Sequence, residues 1–220
     1  MTKLTTVCVL VVLFLASGAV AHADTIDFKN LADVQWGESA WKPLTIITPN
    51  FTLTITATKN GQAAYAYLDS GNAGLGVCGA VVAGANTNVQ THSTANLCDP
   101  SDDDNVTTGE SLTLVFSKNV TIQTLSFDDN HDSPFSLLGD KINIGGSAFT
   151  FANGGVSQDS FTTAPYSVSA GNPFVISYNN EEFYLSALTV STPEPATLIL
   201  ASAGLLGLGF TARRRNRVNG

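Results

Sequence analysis

The sequence at residues 51–56 reads Phe-Thr-Leu-Thr-Ile-Thr, with a threonine after each apolar residue. Successive side chains of a β-strand point to opposite faces, so this alternation predicts a strand with one buried and one exposed face. Asn60 and Gly61 follow it, and then comes the apolar run 64–68. Because Asn-Gly favours the tight turns of β-hairpins, the sequence predicts a hairpin at this point.

Three further pairs of strand-length runs flank short turn sequences, and we interpret them as hairpins: 111–116 with 121–127, 141–144 with 147–151, and 174–178 with 183–190. A shorter alternating run lies at 25–28, and no amphipathic helix is apparent. This pattern predicts an all-β fold, an antiparallel β-sandwich with the jelly roll as the preferred form. The expected core residues are Phe28, Leu53, Ile55, Leu114, Phe116, Ile122, Leu125, Phe127, Ile142, Ile144, Phe149, Phe151, Val175, Tyr184 and Leu188.

The two ends of the chain differ from this pattern. Lys3, the apolar run 7–16 and the small-x-small sequence 21–23 predict a cleaved N-terminal signal peptide over residues 1–23. The alternative is a short anchor that is kept. Near the C-terminus, the 17 uncharged residues 196–212 precede a cluster of four arginines: Arg213, Arg214, Arg215 and Arg217.

This C-terminal pattern predicts a single transmembrane helix over 196–212 with a cytoplasmic, arginine-rich end, because cations behind an apolar span fix its orientation. The span is marginal: 17 residues of helix cover roughly 25 Å of a hydrocarbon core about 30 Å thick. A buried C-terminal helix of the soluble domain is the alternative, which the arginines disfavour.

Pro193, Glu194 and Pro195, the apolar span and the arginine cluster together resemble the PEP-CTERM sorting signal of Gram-negative bacteria. The run 183–190 is similar to the last strand of these proteins. The resemblance implies that an exosortase recognises and removes the tail at the cell surface, after export by the Sec machinery. It also implies that the three residues are a processing motif, and it links the protein to exopolysaccharide production.

Between the two ends, residues 24–192 fit one domain with enough chain for a hydrophobic core. This stretch holds five lysines against seventeen acids and no arginine, a formal charge of −12. A domain this acidic repels a phosphate backbone, so we expect no nucleic-acid partner. The charge suits an exported soluble domain or a cation binder.

Cysteine usage agrees with export. Cys8 lies in the predicted signal peptide, which leaves Cys78 and Cys98 with 19 residues between them. An even pair in an oxidising compartment predicts a disulfide, worth about 3 kcal/mol in the chain-entropy account. Two free thiols are the alternative.

Acidic residues cluster in an irregular, glycine- and asparagine-rich region and after a predicted strand. Clustered carboxylates repel one another unless a cation is present, and calcium takes oxygen ligands from loops outside the cell. A solvated acidic loop is the alternative. The candidate calcium ligands are Asp99, Asp102, Asp103, Asp104, Glu110, Asp128, Asp129 and Asp132.

Trp36 and Trp41 lie in a polar segment between predicted strands and are candidates for stacking on sugar rings, with core packing as the alternative. Catalysis has little support: His92 and His131 are isolated, and no nucleophile elbow, zinc motif or phosphate loop occurs. We therefore expect no catalytic residues and no enzyme.

The sequence thus predicts a precursor in the inner membrane, with its domain outside and its C-terminus in the cytoplasm, that becomes a cell-surface or extracellular-matrix protein. The predicted organisation is signal peptide 1–23, domain 24–192 and sorting tail 193–220. A structural or interaction role linked to exopolysaccharide is the first hypothesis. A carbohydrate-binding module, with or without calcium, is the second, and a glycoside hydrolase-like enzyme is the third.

Overall fold

The computed structural model describes residues 22–82, 97–100, 104–128, 139–151 and 165–193. The expected signal peptide up to residue 21 and the tail from residue 194 lie outside them. Residues Ala23–Thr192 form one compact unit.

The described residues form thirteen β-strands. They are β1 (His22–Asp27), β2 (Ser39–Trp41), β3 (Leu44–Ile47), β4 (Thr52–Lys59), β5 (Gln62–Asp69), β6 (Gly74–Cys78), β7 (Glu110–Phe116), β8 (Val120–Asp128), β9 (Lys141–Ile144), β10 (Ser147–Thr150), β11 (Tyr166–Val168), β12 (Pro173–Tyr178) and β13 (Tyr184–Thr192). A short α-helix, α1 (Phe28–Asn30), continues directly into a π-helical turn, Leu31–Gln35. We call these two pieces together the helical segment.

The strands form one large antiparallel sheet that curls on itself, in the order β10-β9-β12-β7-β4-β5-β6-β13-β8-β11. Strands β1, β2 and β3 add to β13, β5 and β4, respectively. Strand β5 connects the two arms of the curl, because its first residues pair with β4 and its later residues pair with β6. The prediction of an antiparallel all-β fold is therefore confirmed.

The hydrophobic core joins the two arms of the sheet. The ring of Tyr166 on β11 lies 5.2 Å from that of Phe174 on β12, and Phe127 on β8 packs edge-on against Phe151 after β10. In β4 the leucine, isoleucine and alanine side chains are buried while the alternating threonines are not, as the quoted sequence predicted.

Two of the expected core residues differ from the prediction. Val175 is 36% exposed, because its neighbours Phe174 and Ile176 occupy the inward face of β12. Phe149 is only partly buried, against the edge of the core. The other expected core residues are buried.

The first and third predicted hairpins are confirmed. Lys59 pairs with Gln62 across a turn in which Asn60 and Gly61 both have positive φ, 51° and 75°, the backbone that Asn-Gly supplies most easily. Strands β9 and β10 pair around Gly145 and Gly146.

The second and fourth predicted hairpins are wrong. Strand β7 pairs with β4 and β12, whereas β8 pairs with β13 and β11 on the other arm of the sheet. Likewise β12 pairs with β7 and β9, and β13 pairs with β6 and β8. The two short connections cross between arms, so each strand takes partners that are distant in sequence.

The helical segment replaces the end of the predicted strand 25–28. The Asp27 carboxylate accepts a hydrogen bond from the backbone N–H of Asn30 at 2.9 Å and caps the helix. Phe28, Leu31 and Ala32 are buried on one side of it. This spacing of i, i+3 and i+4 gives a short helix one apolar face that packs on the sheet.

Candidate functional site

The described acidic residues do not converge on one point. Asp99 is exposed, while the hydroxyl of Tyr184 donates a 2.6 Å hydrogen bond to Asp104. Glu110 is buried, pairs with Lys59 at 3.0 Å, and accepts a hydrogen bond from the backbone N–H of Thr107.

The remaining described candidate for calcium, Asp128, is fully buried and forms a 3.0 Å ion pair with Lys29. Asp102, Asp103, Asp129 and Asp132 lie outside the described residues. Within the described ranges, no three His, Cys, Asp or Glu side chains are arranged to hold a metal ion. Calcium binding by the acidic loop stays a prediction that these contacts do not support.

The predicted disulfide is present. The Cys78 and Cys98 sulfurs are bonded, with Cα atoms 5.8 Å apart. An isolated bridge between Val81 and Cys98 and a 3.0 Å hydrogen bond from the Asp99 N–H to the Ala80 carbonyl hold the chain beside it. The disulfide therefore ties the end of β6 to the described segment 97–100.

The two tryptophans are neighbours but are not equivalent. Trp41 is 4% exposed and donates its indole N–H to the Ser39 hydroxyl at 2.9 Å. The half-buried Trp36 packs on it with ring centroids 5.8 Å apart. Trp41 is a core residue and offers no open face to a sugar ring, so its proposed stacking role is wrong; the role of Trp36 stays a prediction.

Two buried tyrosines each donate to a carboxylate. Tyr67 donates to Glu38, which also accepts from Ser70, and Tyr184 donates to Asp104. Burial raises the pKa of Tyr67 far above its ordinary value, and the hydrogen bond to Glu38 adds to the shift. Burial likewise raises the pKa of Tyr184, with the hydrogen bond to Asp104 as the next cause. Both shifts favour the protonated hydroxyl in the folded protein.

Sequence reasoning did not find one concave site that the fold forms. It is a cleft of about 400 Å³ between the helical segment, the β5–β6 turn and strands β8 and β13. We call it the helix-side cleft. Polar and charged residues are the more numerous in its lining, which consists of Asp27, Lys29, Asn30, Asp33, Val34, Asn72, Ser126, Ser186 and Ala187.

A β-bulge shapes the floor of the cleft. Leu185 pairs with Phe127 and Ala187 pairs with Ser126, so Ser186 is an extra residue with no partner position on β8. A bulge sets two residues opposite one and redirects a side chain. Ser186, Ala187 and Ser126 consequently all line the same cleft.

The β5–β6 turn closes one side of the cleft. The two carboxylate oxygens of Asp33 accept hydrogen bonds from the backbone N–H groups of Gly71 and Asn72, at 2.8 and 3.2 Å. Asn72 has φ 63°, the left-handed conformation that glycine and asparagine adopt more readily than other residues. At Gly74 a Cβ atom would lie 2.8 Å from the Leu185 carbonyl oxygen, so a residue without a side chain lets the turn approach the bulge.

The C-terminal boundary of the domain is abrupt. Strand β13 ends at Thr192, and the exposed Pro193 follows, which has no N–H to continue a ladder. Glu194, Pro195, the span 196–212 and the arginine cluster lie outside the described residues. Among the helices that the structure describes, none has the length and apolar character to cross a membrane.

A family model for the PEP-CTERM protein-sorting motif matches residues 191–215. The match begins at the last two residues of β13, so the sorting motif directly follows the last strand in the sequence. The chain thus carries the sorting signal of a class of exported proteins. It is a PEP-CTERM sorting-signal protein, and the motif indicates exosortase-dependent sorting to the cell surface. Comparison with curated proteins and with solved structures finds no match.

Proposed function

We propose that this protein is a non-enzymatic component of the cell surface or extracellular matrix, with a structural or interaction role linked to exopolysaccharide. The observation that carries the proposal is the sorting motif that begins at the end of the last strand of a compact all-β unit. The acidic charge and the disulfide support an exported domain.

The proposed route begins with Sec export and removal of the signal peptide after Ala23. The span 196–212 then holds the precursor in the inner membrane, with Arg213, Arg214, Arg215 and Arg217 on the cytoplasmic side. Exosortase cuts the tail near Pro193, Glu194 and Pro195 and releases the domain, whose curled sheet we interpret as a jelly-roll sandwich.

A deletion tests this route. Without Ala196–Gly220, the protein should appear in the soluble periplasmic fraction instead of the membrane fraction, because the only proposed anchor is gone. A matched control deletes the whole tail and appends an unrelated transmembrane helix with a basic end, which should restore membrane fractionation but not release. A deletion variant that still sediments with membranes would contradict the proposed anchor.

A further inference from the structure

We propose that the helix-side cleft is a binding site for a neutral sugar unit, held by hydroxyl and amide groups without calcium. This inference deepens the proposed matrix role and rests on it for the source of the ligand. The two fail separately, because affinity is measured on purified protein and sorting is measured in cells.

A buried hydroxyl group of the cleft has no hydrogen-bond partner among the described residues. Ser186 is 1% exposed, lines the cleft, and its Oγ has no hydrogen-bond partner among the described residues. A buried hydroxyl without a protein partner costs free energy, so a fold built only for stability would favour alanine here. The bulge that carries Ser186 places this residue in the wall of the cleft, where neighbouring atoms cover the hydroxyl, so a ligand reaches it only by displacing them.

Hydrogen bonds to backbone N–H groups hold the walls of the helix-side cleft in place. Asp33 fixes the β5–β6 turn through two backbone N–H groups, and Asp27 caps the helix. Asn72 is thereby held in a left-handed conformation at the cleft. Backbone conformations of this kind, bulges and π-helical turns cluster at functional sites, and here all three border one cleft.

The charges of the cleft lining favour a neutral ligand. Lys29 is the only cation in the described lining, and its ammonium group is already paired with Asp128 at 3.0 Å. Asp27 and Asp33 leave the lining with a negative balance, which disfavours an anionic ligand such as a uronic acid. A divalent cation is also disfavoured, because the described residues offer no group of three metal-binding side chains.

The lining chemistry fits a neutral polyol. Asn30, Asn72, Ser126 and Ser186 offer amide and hydroxyl groups, and the Asp27 and Asp33 carboxylates keep further lone pairs that can accept from hydroxyl groups. Val34 is 74% exposed at the rim and presents an apolar surface for the C–H face of a sugar ring. Small-ligand sites commonly occupy clefts of about 300–1,000 Å³, the size class of this one.

The test is a calorimetric titration of the full chain, purified in a detergent without a sugar headgroup. The probes are the methyl glycosides of glucose, galactose and mannose, with glucuronate as the anionic comparison. We expect saturable binding of at least one neutral glycoside, weaker binding of glucuronate, and no change on addition of EDTA.

Three variants locate the site. Asn72→Gly removes the amide group and suits the positive φ, and we expect affinity to fall about two- to tenfold, the loss of one hydrogen bond. Asn60→Gly makes the same change at the left-handed residue of the β4–β5 turn, outside the cleft, and should bind normally. Ala187→Leu should obstruct the cleft and abolish binding.

Ser186→Ala separates a binding role from a structural one. We expect its melting temperature to equal or exceed that of the unchanged protein while affinity falls about two- to tenfold. The proposal is overturned if no neutral glycoside binds saturably, if glucuronate binds more tightly, or if EDTA abolishes binding. Equal affinities of the Asn72→Gly and Asn60→Gly variants, or unchanged binding by Ala187→Leu, would also overturn it.

Discussion

Gly76 lies on β6 where the backbone of Asp104 crosses directly over it. A Cβ atom at this position would overlap the Asp104 carbonyl oxygen and crowd Asn105. Because both obstacles are backbone atoms, no side chain can rotate away to make room. We predict that Gly76→Ala lowers the free energy of unfolding by about 3 kcal/mol, the upper range for overpacking.

Chemical denaturation measures this loss, and Gly171→Ala is the control. Gly171 has φ 74° but open space around its Cβ position, so that variant carries backbone strain alone, about 1 kcal/mol. Equal losses for the two variants would show that Asp104 does not pack closely over β6.

The buried tyrosines predict an alkaline limit to stability. Their pKa values are raised in the folded state, so above the unfolded pKa of about 10 the unfolded chain loses protons that the folded protein keeps. The contribution of each tyrosine is complete below pH 10 and falls by up to about 1.4 kcal/mol per pH unit above it.

Urea denaturation between pH 8 and 11 measures this dependence. Tyr184→Phe and Tyr67→Phe should each be less stable than the parent at pH 8 but lose less stability as the pH rises. The interpretation is wrong if either phenylalanine variant keeps the full slope above pH 10.

At the residue scale, the sequence predicts burial correctly where apolar and polar residues alternate strictly, and less accurately where they do not. Leu53 and Ile55 are buried as predicted, because their alternation with threonines places both side chains on the same, inward face of β4. Val175 was misplaced because it lies in a run with apolar residues on both faces. Ser186 could not be found, since nothing in the sequence marks the extra residue of a bulge.

At the element scale, the disulfide is a covalent link between β6 and the described segment 97–100. It closes the loop between Cys78 and Cys98, and a loop of this length contributes about 3 kcal/mol by restricting the unfolded chain. We predict that the double variant Cys78→Ser, Cys98→Ser unfolds with a free energy lower by about that amount.

A reducing agent supplies the matched comparison for the disulfide. It should lower the melting temperature of the parent protein and leave that of the double variant unchanged. Thiol alkylation of the unfolded, unreduced parent should label only cysteines other than these two; labelling of Cys78 and Cys98 would contradict the bridge.

The sequence predicted the positions of the strands more accurately than it predicted which strands pair. Local turn residues mark where a strand ends, but a short link can return beside the same strand or cross to the other arm of a curled sheet. The connection around Gly145 returns beside the same strand. The connection at residues 117–119 crosses to the other arm, because β7 and β8 bury their apolar faces against different neighbours. The helical segment had a readable signal, Asp27 before apolar residues 28, 31 and 32, which strand alternation obscured.

At the scale of the whole molecule, the charge distribution assigns opposite roles to the body and the tail. The body, residues 24–192, carries a formal charge of −12, and the last residues carry four arginines. Cations behind an apolar span fix its orientation, so replacing Arg213, Arg214, Arg215 and Arg217 by serine should weaken membrane retention or invert the tail. Protease accessibility of the C-terminus in spheroplasts measures orientation.

The comparison for the arginine variant is a lysine replacement at the same four positions. It keeps the charge and should fractionate and orient like the parent. If the serine variant is also retained in the parental orientation, the arginines have no role in the anchor.

Sorting could be predicted from sequence because its signal is linear: a short motif, an apolar span and a basic end are read in order. The cleft could not be predicted, since Lys29, Asn72 and Ser186 are far apart in the chain and meet only through the curl of the sheet.

Intact-mass analysis of the protein recovered from the cell surface tests the central claim most directly. The account predicts a species that begins near Asp24 and ends before Ala196, with its cysteines 78 and 98 oxidised. A full-length species found in the cytosol, with Met1 and the arginine cluster still attached, would contradict it.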